Sequence, residues 1–440
     1  MTDQAAPGEL RIPDRRLARL SRGEKFKLTA LGGIAAFSLD ALSSVAYGPE
    51  AIVLALIPGG IAALHWTVPI AAAIIVLLLV LVVSYRQVIA VHPDGGGAYA
   101  VAKKEFGGPI ALLAAASLVV DYVLTVAVSL AAGAASLASA FPVLAHHLLG
   151  LTLLGLLALT AVNLIGVSES ARVLMWPALV FVVCIYATIV VGAFHPHPVA
   201  YIGTDLGPVH PVEAVGIVLV LKAFAAGCSS LTGVEAIANG VPAFRVPAVK
   251  RAQRTEVGLG FLLATMLAGI AALIEWHRVV PRGDVTVLAQ LTAGAFGTGW
   301  VFYVTNIAVT LVLAFAANTS FGGLPVLLSL LAKDDRLPHM MATRSERPVY
   351  RYGVALLALI ATLVLVIVGA DTDRLLPVFA IGVFIGFTIS QTGLVKHWAT
   401  VRPPGWRPKM VSTVSAQRSA RWPASCSSWR SSPRARGCCS

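Results

Sequence analysis

Apolar runs recur ten times along the chain, each close to the roughly 20 residues a helix needs to cross a bilayer. They fall near residues 29–57, 66–91, 109–138, 148–165, 172–194, 212–238, 257–276, 298–321, 352–369 and 375–395. Lipid offers backbone N–H and C=O groups no partners, so runs of this length read as helices that satisfy their own hydrogen bonds. The expected fold class is therefore an all-α integral membrane protein. Composition agrees: 57% of residues are hydrophobic and 12% charged, with mean hydropathy +0.82, against about 25% charged in soluble domains.

The net charge of +12 would suggest nucleic acid in a soluble protein, but here the Lys and Arg residues sit mainly in short loops between apolar spans, where they report topology. The arm 1–27 holds Arg11, Arg15, Arg16, Arg19, Arg22, Lys25 and Lys27. Every second loop after it is again basic: Arg86 with Lys103 and Lys104, Arg172, Arg245 to Arg254, Lys333 to Arg351, and Lys396 to Lys409. The intervening loops hold only Arg278, Arg282 and Arg374. This alternation predicts a cytoplasmic N-terminus in a multi-pass protein of the cell membrane. The arm runs straight into a span too long for a signal-peptide core, so no cleavable leader is expected. Cys184 and Cys228 in the membrane part have neither disulfide nor metal-site spacing.

Asp40 lies inside the first span, within Ser38-Leu39-Asp40-Ala41-Leu42-Ser43-Ser44-Val45-Ala46-Tyr47-Gly48-Pro49-Glu50. A carboxylate at membrane depth costs about 3 kcal/mol on insertion scales, so it marks function. Gly48-Pro49 predicts a helix break, since Pro removes a hydrogen bond and Gly weakens helix. Such a break is tolerated at that depth only where it lines a cavity or packs in protein. The sixth span repeats the pattern in Gly227-Cys228-Ser229-Ser230-Leu231-Thr232-Gly233-Val234-Glu235. Spans five apart run in opposite directions, and paired broken helices in inverted halves point to a midplane binding site. The plainer alternative is two Ser/Gly-rich packing faces. In the third span Asp121, Thr125 and Ser129 share one helix stripe. Ser and Thr there commonly bond their own backbone, an outlet that Asp121 lacks. Lys222, the obvious basic counterpart, lies about 15 Å before Thr232 along a helix. Carboxylates and hydroxyls without a nearby base predict a cation site with a proton relay.

At these residues the chain resembles the amino acid–polyamine–organocation superfamily, and within it the KimA-type potassium importers related to the Kup systems. The resemblance covers about residues 25–410. It rests on Asp40 to Gly48, on His92-Pro93-Asp94-Gly95-Gly96-Gly97-Ala98-Tyr99, and on Thr232-Gly233-Val234-Glu235-Ala236-Ile237-Ala238-Asn239-Gly240-Val241-Pro242. It implies a LeuT-like five-plus-five inverted repeat with helices 1 and 6 broken. It further implies potassium coordination by Asp40, Tyr47, Asp121, Thr125, Ser129, Thr232 and Glu235, to which the residue reading adds Ser43. A family position usually occupied by Tyr falls at Phe379, removing one coordinating oxygen. The implied function is proton-coupled potassium uptake, with amino acid permease as the alternative, no enzymatic activity, and no cofactor beyond the proton gradient. The expected partners are potassium or a small cationic or zwitterionic substrate, the proton, the bilayer and a homodimer mate, with no nucleic acid. Against an amino acid, Asp40 beside Ser43-Ser44 would repel a substrate carboxylate. A receptor that kept the fold would need an output domain, and a lipid-modifying enzyme a nucleophile–base or metal constellation, neither of which is visible.

The glycine-rich loop 92–99 has no strand or Lys-Ser/Thr partner to make it a phosphate cradle, so a tight turn is expected. Seven of the ten histidines (His65, His146, His147, His195, His197, His210 and His277) fall on the predicted outer side; they read as residues tolerated where Lys and Arg are avoided, with a pH sensor or weak metal site as the alternative. The sequence divides into the arm 1–27, a core 28–395, a loop 396–410 and a tail 411–440. That tail holds nine Ser, five Arg and three Cys with no acid. Family members continue with two more spans, and KimA-type members with a regulatory domain. The tail is thus expected to be a frameshifted end of a truncated member; a disordered basic tail is the competing reading.

Overall fold

The computed structural model describes residues 28–95, 97–166, 171–195, 202–203, 211–213, 215–342, 350–402, 406–407 and 410–418. The basic arm, His197, His210, Gly96 and residues 419–440 lie outside the described residues. Fourteen α-helices are described: α1 Ala30–Phe37, α2 Leu39–Leu56, α3 Thr67–Val91, α4 Gly97–Glu105, α5 Gly108–Ala140, α6 Leu148–Ile165, α7 Ala171–Phe194, α8 Ile217–Gly227, α9 Ala236–Asn239, α10 Ala248–Trp276, α11 Val287–Phe296, α12 Trp300–Lys333, α13 Arg351–Val368 and α14 Thr372–Val401. Among the described residues β-structure is confined to isolated bridges, Leu28 with Phe244 and Arg282 with Val285. Ten helical segments are long and apolar enough to cross a membrane, which meets the all-α expectation.

The packing order follows a five-span offset. α2 lies along α8, α3 along α10, α5 along α12 and α6 along α13, so each pairs a span with the one five places later. Burial grades the spans. The most apolar stretch of the first is 72% buried and that of Pro142–Ile165 only 11%, so the first lies at the centre and the fourth in the rim. Leu154 and Leu157 on that rim helix are exposed, as lipid-facing side chains should be.

Three boundaries depart from the sequence expectation. The first helix does not break at Gly48-Pro49: α2 runs through Pro49, and the interruption is a bend at Ser38 between α1 and α2. Gly48 instead lets α2 approach the sixth span, since a Cβ there would meet the Ser230 side chain at 2.5 Å. The seventh span starts at Ala248 rather than near 257, because Lys250, Arg251 and Arg254 lower the local hydropathy without stopping the helix. The last span runs on to Val401, into the stretch expected as a loop. Beyond it residues 410–418 are helical and dock on the core. The Gln87 side-chain oxygen there accepts from Trp398 and Thr413, each at 3.1 Å, and Gln417 donates to Thr392 at 2.9 Å.

Candidate transport site

The two interruptions face each other. The sixth span leaves the α-helix at Gly227, makes a 3-10 turn over Cys228–Leu231, and extends at Thr232 (ψ 151°). It turns left-handed at Gly233 (φ +77°) and resumes as α9. A Cβ on Gly233 would lie 2.6 Å from the Ala41 nitrogen and 2.9 Å from an Asp40 carboxylate oxygen. Both the positive φ and the close approach therefore require glycine. Alongside, the Ser44 hydroxyl donates to the Ser230 carbonyl at 2.8 Å, and the Tyr47 and Thr232 hydroxyls are 3.3 Å apart.

Three carboxylates meet around this junction. Asp40 sits in the first turn of α2, where the bend at Ser38 creates a helix N-terminus whose dipole favours an anion. Asp121 lies midway along α5, and Glu235 just precedes α9. Asp40 is within electrostatic reach of Glu235, and Asp121 of both. All three are half-buried. One Asp40 oxygen is buried without a hydrogen-bond partner, while Glu235 accepts from the Tyr85 hydroxyl at 3.3 Å. Among the described residues no ion pair joins a basic side chain to any of the three. Lys222 pairs with Glu213 at 3.0 Å, away from the junction. The result is a pocket of oxygen donors whose acids have no basic partner among the described residues, chemistry suited to a hard cation.

The remaining residues singled out from the sequence are placed unevenly. Tyr47 and Thr232 are buried at the junction and share their hydrogen bond. Thr125 and Ser129 continue the Asp121 stripe, both buried, and the Ser129 hydroxyl has no partner. Ser43 turns its hydroxyl onto its own helix, donating to the Asp40 carbonyl at 2.7 Å. Phe379 is fully buried in α14, one turn before Gly382, whose Cβ position lies 3.8 Å from the Asp121 nitrogen.

Sequence reasoning missed several participants. The Tyr85 hydroxyl in α3 donates to Glu235 at 3.3 Å; its signal is a lone phenol in a mainly aliphatic span. Tyr122 lies within reach of all three carboxylates, and its ring occupies the space left by Gly323. Glu256 falls just before residue 257, where the sequence places the start of the seventh span, and inside α10 in the structure. Another unforeseen element is α11, which lies against the first span: the Glu50 carboxylate accepts from the Val287 N–H at its N-terminus at 3.1 Å.

A cavity of about 360 Å³ opens beside the junction. Tyr47, Glu50, Arg282, Asp284, Asp371 and Asp373 contribute to its wall, whose charged members are thus four acids and one arginine. Tyr47 belongs both to this cavity and to the carboxylate junction. The glycine loop after α3 is a close-packed turn. Gly95 (φ +73°) would press a Cβ onto the Asn239 carbonyl, and Gly97 onto the Asn239 side chain.

A family model described as amino acid permease matches residues 31–426. The chain is 41% identical over 391 residues to the potassium transporter KimA of Bacillus subtilis (strain 168). The chain belongs to the amino acid permease family of the APC superfamily. The alignment covers 88% of this chain and 64% of that relative, so the chain spans less than two thirds of its length. Family and helices together make it a multi-pass membrane protein. Both matches carry the names of transport proteins, a permease family and a potassium transporter, and neither carries an enzyme's name.

Proposed function

We propose that the permease takes up potassium together with protons, by alternating access around the junction of the first and sixth spans. The observation that carries this reading is the convergence of Asp40, Asp121 and Glu235 with no basic partner among the described residues. The 41% identity to a protein named a potassium transporter supports it. Asp40, Tyr47, Asp121, Thr125, Ser129, Thr232 and Glu235 are the proposed cation ligands, with Ser43 and Phe379 at the margin. Three ionised carboxylates exceed one monovalent cation by two charges, so protons on two of them balance the site while potassium is bound. The acidic cavity wall raises the local cation concentration at Tyr47. In this reading the N-terminus is cytoplasmic, the cavity faces outward, and the cell membrane is the site of action.

The description of the matching family favours a second reading, amino acid transport. Asp40 weighs against it, because its carboxylate lies at the helix N-terminus that would otherwise receive a substrate carboxylate. Rubidium uptake in cells deficient in potassium uptake, set against uptake of a mixed amino-acid panel, separates the two. Rubidium entry that potassium competes away supports the proposal; amino-acid entry without rubidium entry refutes it.

A further inference from the structure

At the end of the molecule that carries the basic loops, three elements meet through two histidines that the transport site does not use. α14 brings His397, α4 ends at Glu105, and His92 follows the last residue of α3. His397 Nδ1 lies 3.2 Å from a Glu105 carboxylate oxygen, and both side chains are largely buried. The His92 and His397 rings stand 6.3 Å apart, and His92 Nε2 is buried without a hydrogen-bond partner. Burial, with Lys104 and His397 beside it, holds the His92 imidazole below its ordinary value. Lys396 fastens the same corner, donating to the Glu105 carbonyl and lying 5.0 Å over the Phe106 ring. The charged and titratable groups facing the two rings are therefore Glu105 and Lys104 of α4 and Lys396 of α14. Tyr99 and Lys103 of α4 turn instead to Asp334. α5 carries none over residues 108–120, and its Asp121 and Tyr122 belong to the junction. Of the other elements against α14, α2 and the turn Cys228–Leu231 hold Asp40, Tyr47 and Cys228 at the junction and Glu50 at the cavity, while Lys222 of α8 pairs with Glu213. The helix 410–418 adds Arg418 in its last turn. α4 also bears on the sixth span: a Cβ on Gly95 or Gly97 would overlap Asn239 of α9. The inner half of that span cannot swing toward α4 unless α4 yields.

We propose that His397, Glu105 and His92 form a cytoplasmic pH clamp that holds α4 on α14, and with it the inner half of the sixth span, when the cytoplasm turns acid. Histidine changes charge between about pH 5 and 8. A proton on His397 converts its hydrogen bond to Glu105 into an ion pair, and a charge-assisted hydrogen bond is stronger than a neutral one. The clamp therefore tightens as pH falls and relaxes as pH rises. His92 limits the cluster to one proton, because a second charge would sit in a buried position beside Lys104 and the first. A carrier that brings protons in is slowed by this device when those protons accumulate.

This inference rests on the transport reading above and on its orientation. The full chain tests it with two measurements. One is amide hydrogen exchange of residues 97–106 in detergent, corrected for the intrinsic rate at each pH. The other is rubidium-for-potassium exchange in proteoliposomes with equal pH on both sides. Between about pH 8 and about pH 6, wild type should gain about fivefold in protection, the scale of turning a neutral hydrogen bond into a charged one. Its rubidium exchange should slow by a similar factor. His397→Gln and Glu105→Gln each keep a hydrogen-bonding group and remove a charge. Both should lose the change in protection and exchange rubidium faster than wild type at the acid end, and either serves if the other does not purify. Protonation of the cation site is common to wild type and variants, so the difference between them reports the clamp. The same pH response in wild type and both variants overturns it. A response lost in His92→Gln but kept in His397→Gln overturns it too, by making His92 the sensor. Protection that follows pH while the variants exchange rubidium at the wild-type rate throughout overturns the control of transport. A wild-type protein that moves no rubidium yet shows the pH-dependent protection refutes the cation reading and supports the clamp.

Discussion

Asp40, Asp121, Glu235 and Glu256 lie in the described spans of this permease, each in a medium where a charge costs about 3 kcal/mol to insert. Three of them share one junction and none of the three has a basic partner there. Asp121 is the strictest test of the cation site, since its stripe-mates Thr125 and Ser129 are neutral. Asp121→Asn should abolish rubidium uptake yet insert and purify as wild type, because it removes a site charge at no cost to the bilayer. Uptake at the wild-type rate would take Asp121 out of the site. Phe379 is the opposite case, a position where the chain lacks an oxygen. It lies one turn from Gly382, which faces the Asp121 backbone, so Phe379→Tyr should add a hydroxyl beside the carboxylates. One hydrogen-bonding oxygen contributes about 1 kcal/mol, or about a fivefold tighter half-saturation for potassium. An unchanged half-saturation would mean that residue 379 turns away from the cation.

Interrupted helices carry the site because they expose backbone that a continuous helix would use up. Gly233 concentrates this requirement: its φ is +77°, and its Cα faces Ala41 and Asp40 directly. Gly233→Ala should add about 1–2 kcal/mol of left-handed strain and force the first and sixth spans apart. Uptake is therefore expected to disappear, with a lower melting temperature in detergent; normal uptake would show that the junction opens freely. A second contact joins elements outside the spans. Tyr99 of α4 donates to Asp334 at 2.5 Å, and Lys103 pairs with the same carboxylate at 2.7 Å, tying α4 to the end of α12. Burial and the bond to Asp334 push the Tyr99 hydroxyl up to about 12, so it remains a donor throughout the working range. The bonds from Lys103 and Tyr99 hold the Asp334 carboxyl below its ordinary value. Its contribution is then complete above the unfolded value of about 4 and fades as pH falls through the folded one. Asp334→Asn should lower the melting temperature slightly at neutral pH, and the gap from wild type should close under acid conditions. A gap independent of pH would assign the loss to packing instead.

At the scale of the whole molecule, each of the first four spans packs on the one five places later, and the acidic cavity residues and the basic loops fall at opposite ends. With native cysteines replaced by Ala, a membrane-impermeant maleimide applied to intact cells should label Asp373→Cys and spare Lys104→Cys; the reverse would invert the topology. Much of this architecture was legible in the chain itself. Span count follows from hydropathy, because each helix must satisfy its own backbone in lipid whatever its neighbours are. The identity of the intramembrane acids was equally plain, and so was the kinship of Ala41 to Gly48 with Gly227 to Glu235, since both are properties of local sequence. Where the chain breaks was not legible. Gly48-Pro49 carries the stronger breaking signal, yet the bend is at Ser38, because Gly48 is needed for contact with Ser230 and α2 continues past Pro49. Glu256 escaped notice for a similar reason: Lys250, Arg251 and Arg254 made the start of α10 read as a loop, and only its packing on α3 shows that the residue is buried opposite Tyr85. The sequence by itself determined which segments enter the membrane and which charges they carry in, since both depend on transfer from water. Tertiary structure alone decided which of those charges meet, because that depends on contacts between spans far apart in the chain.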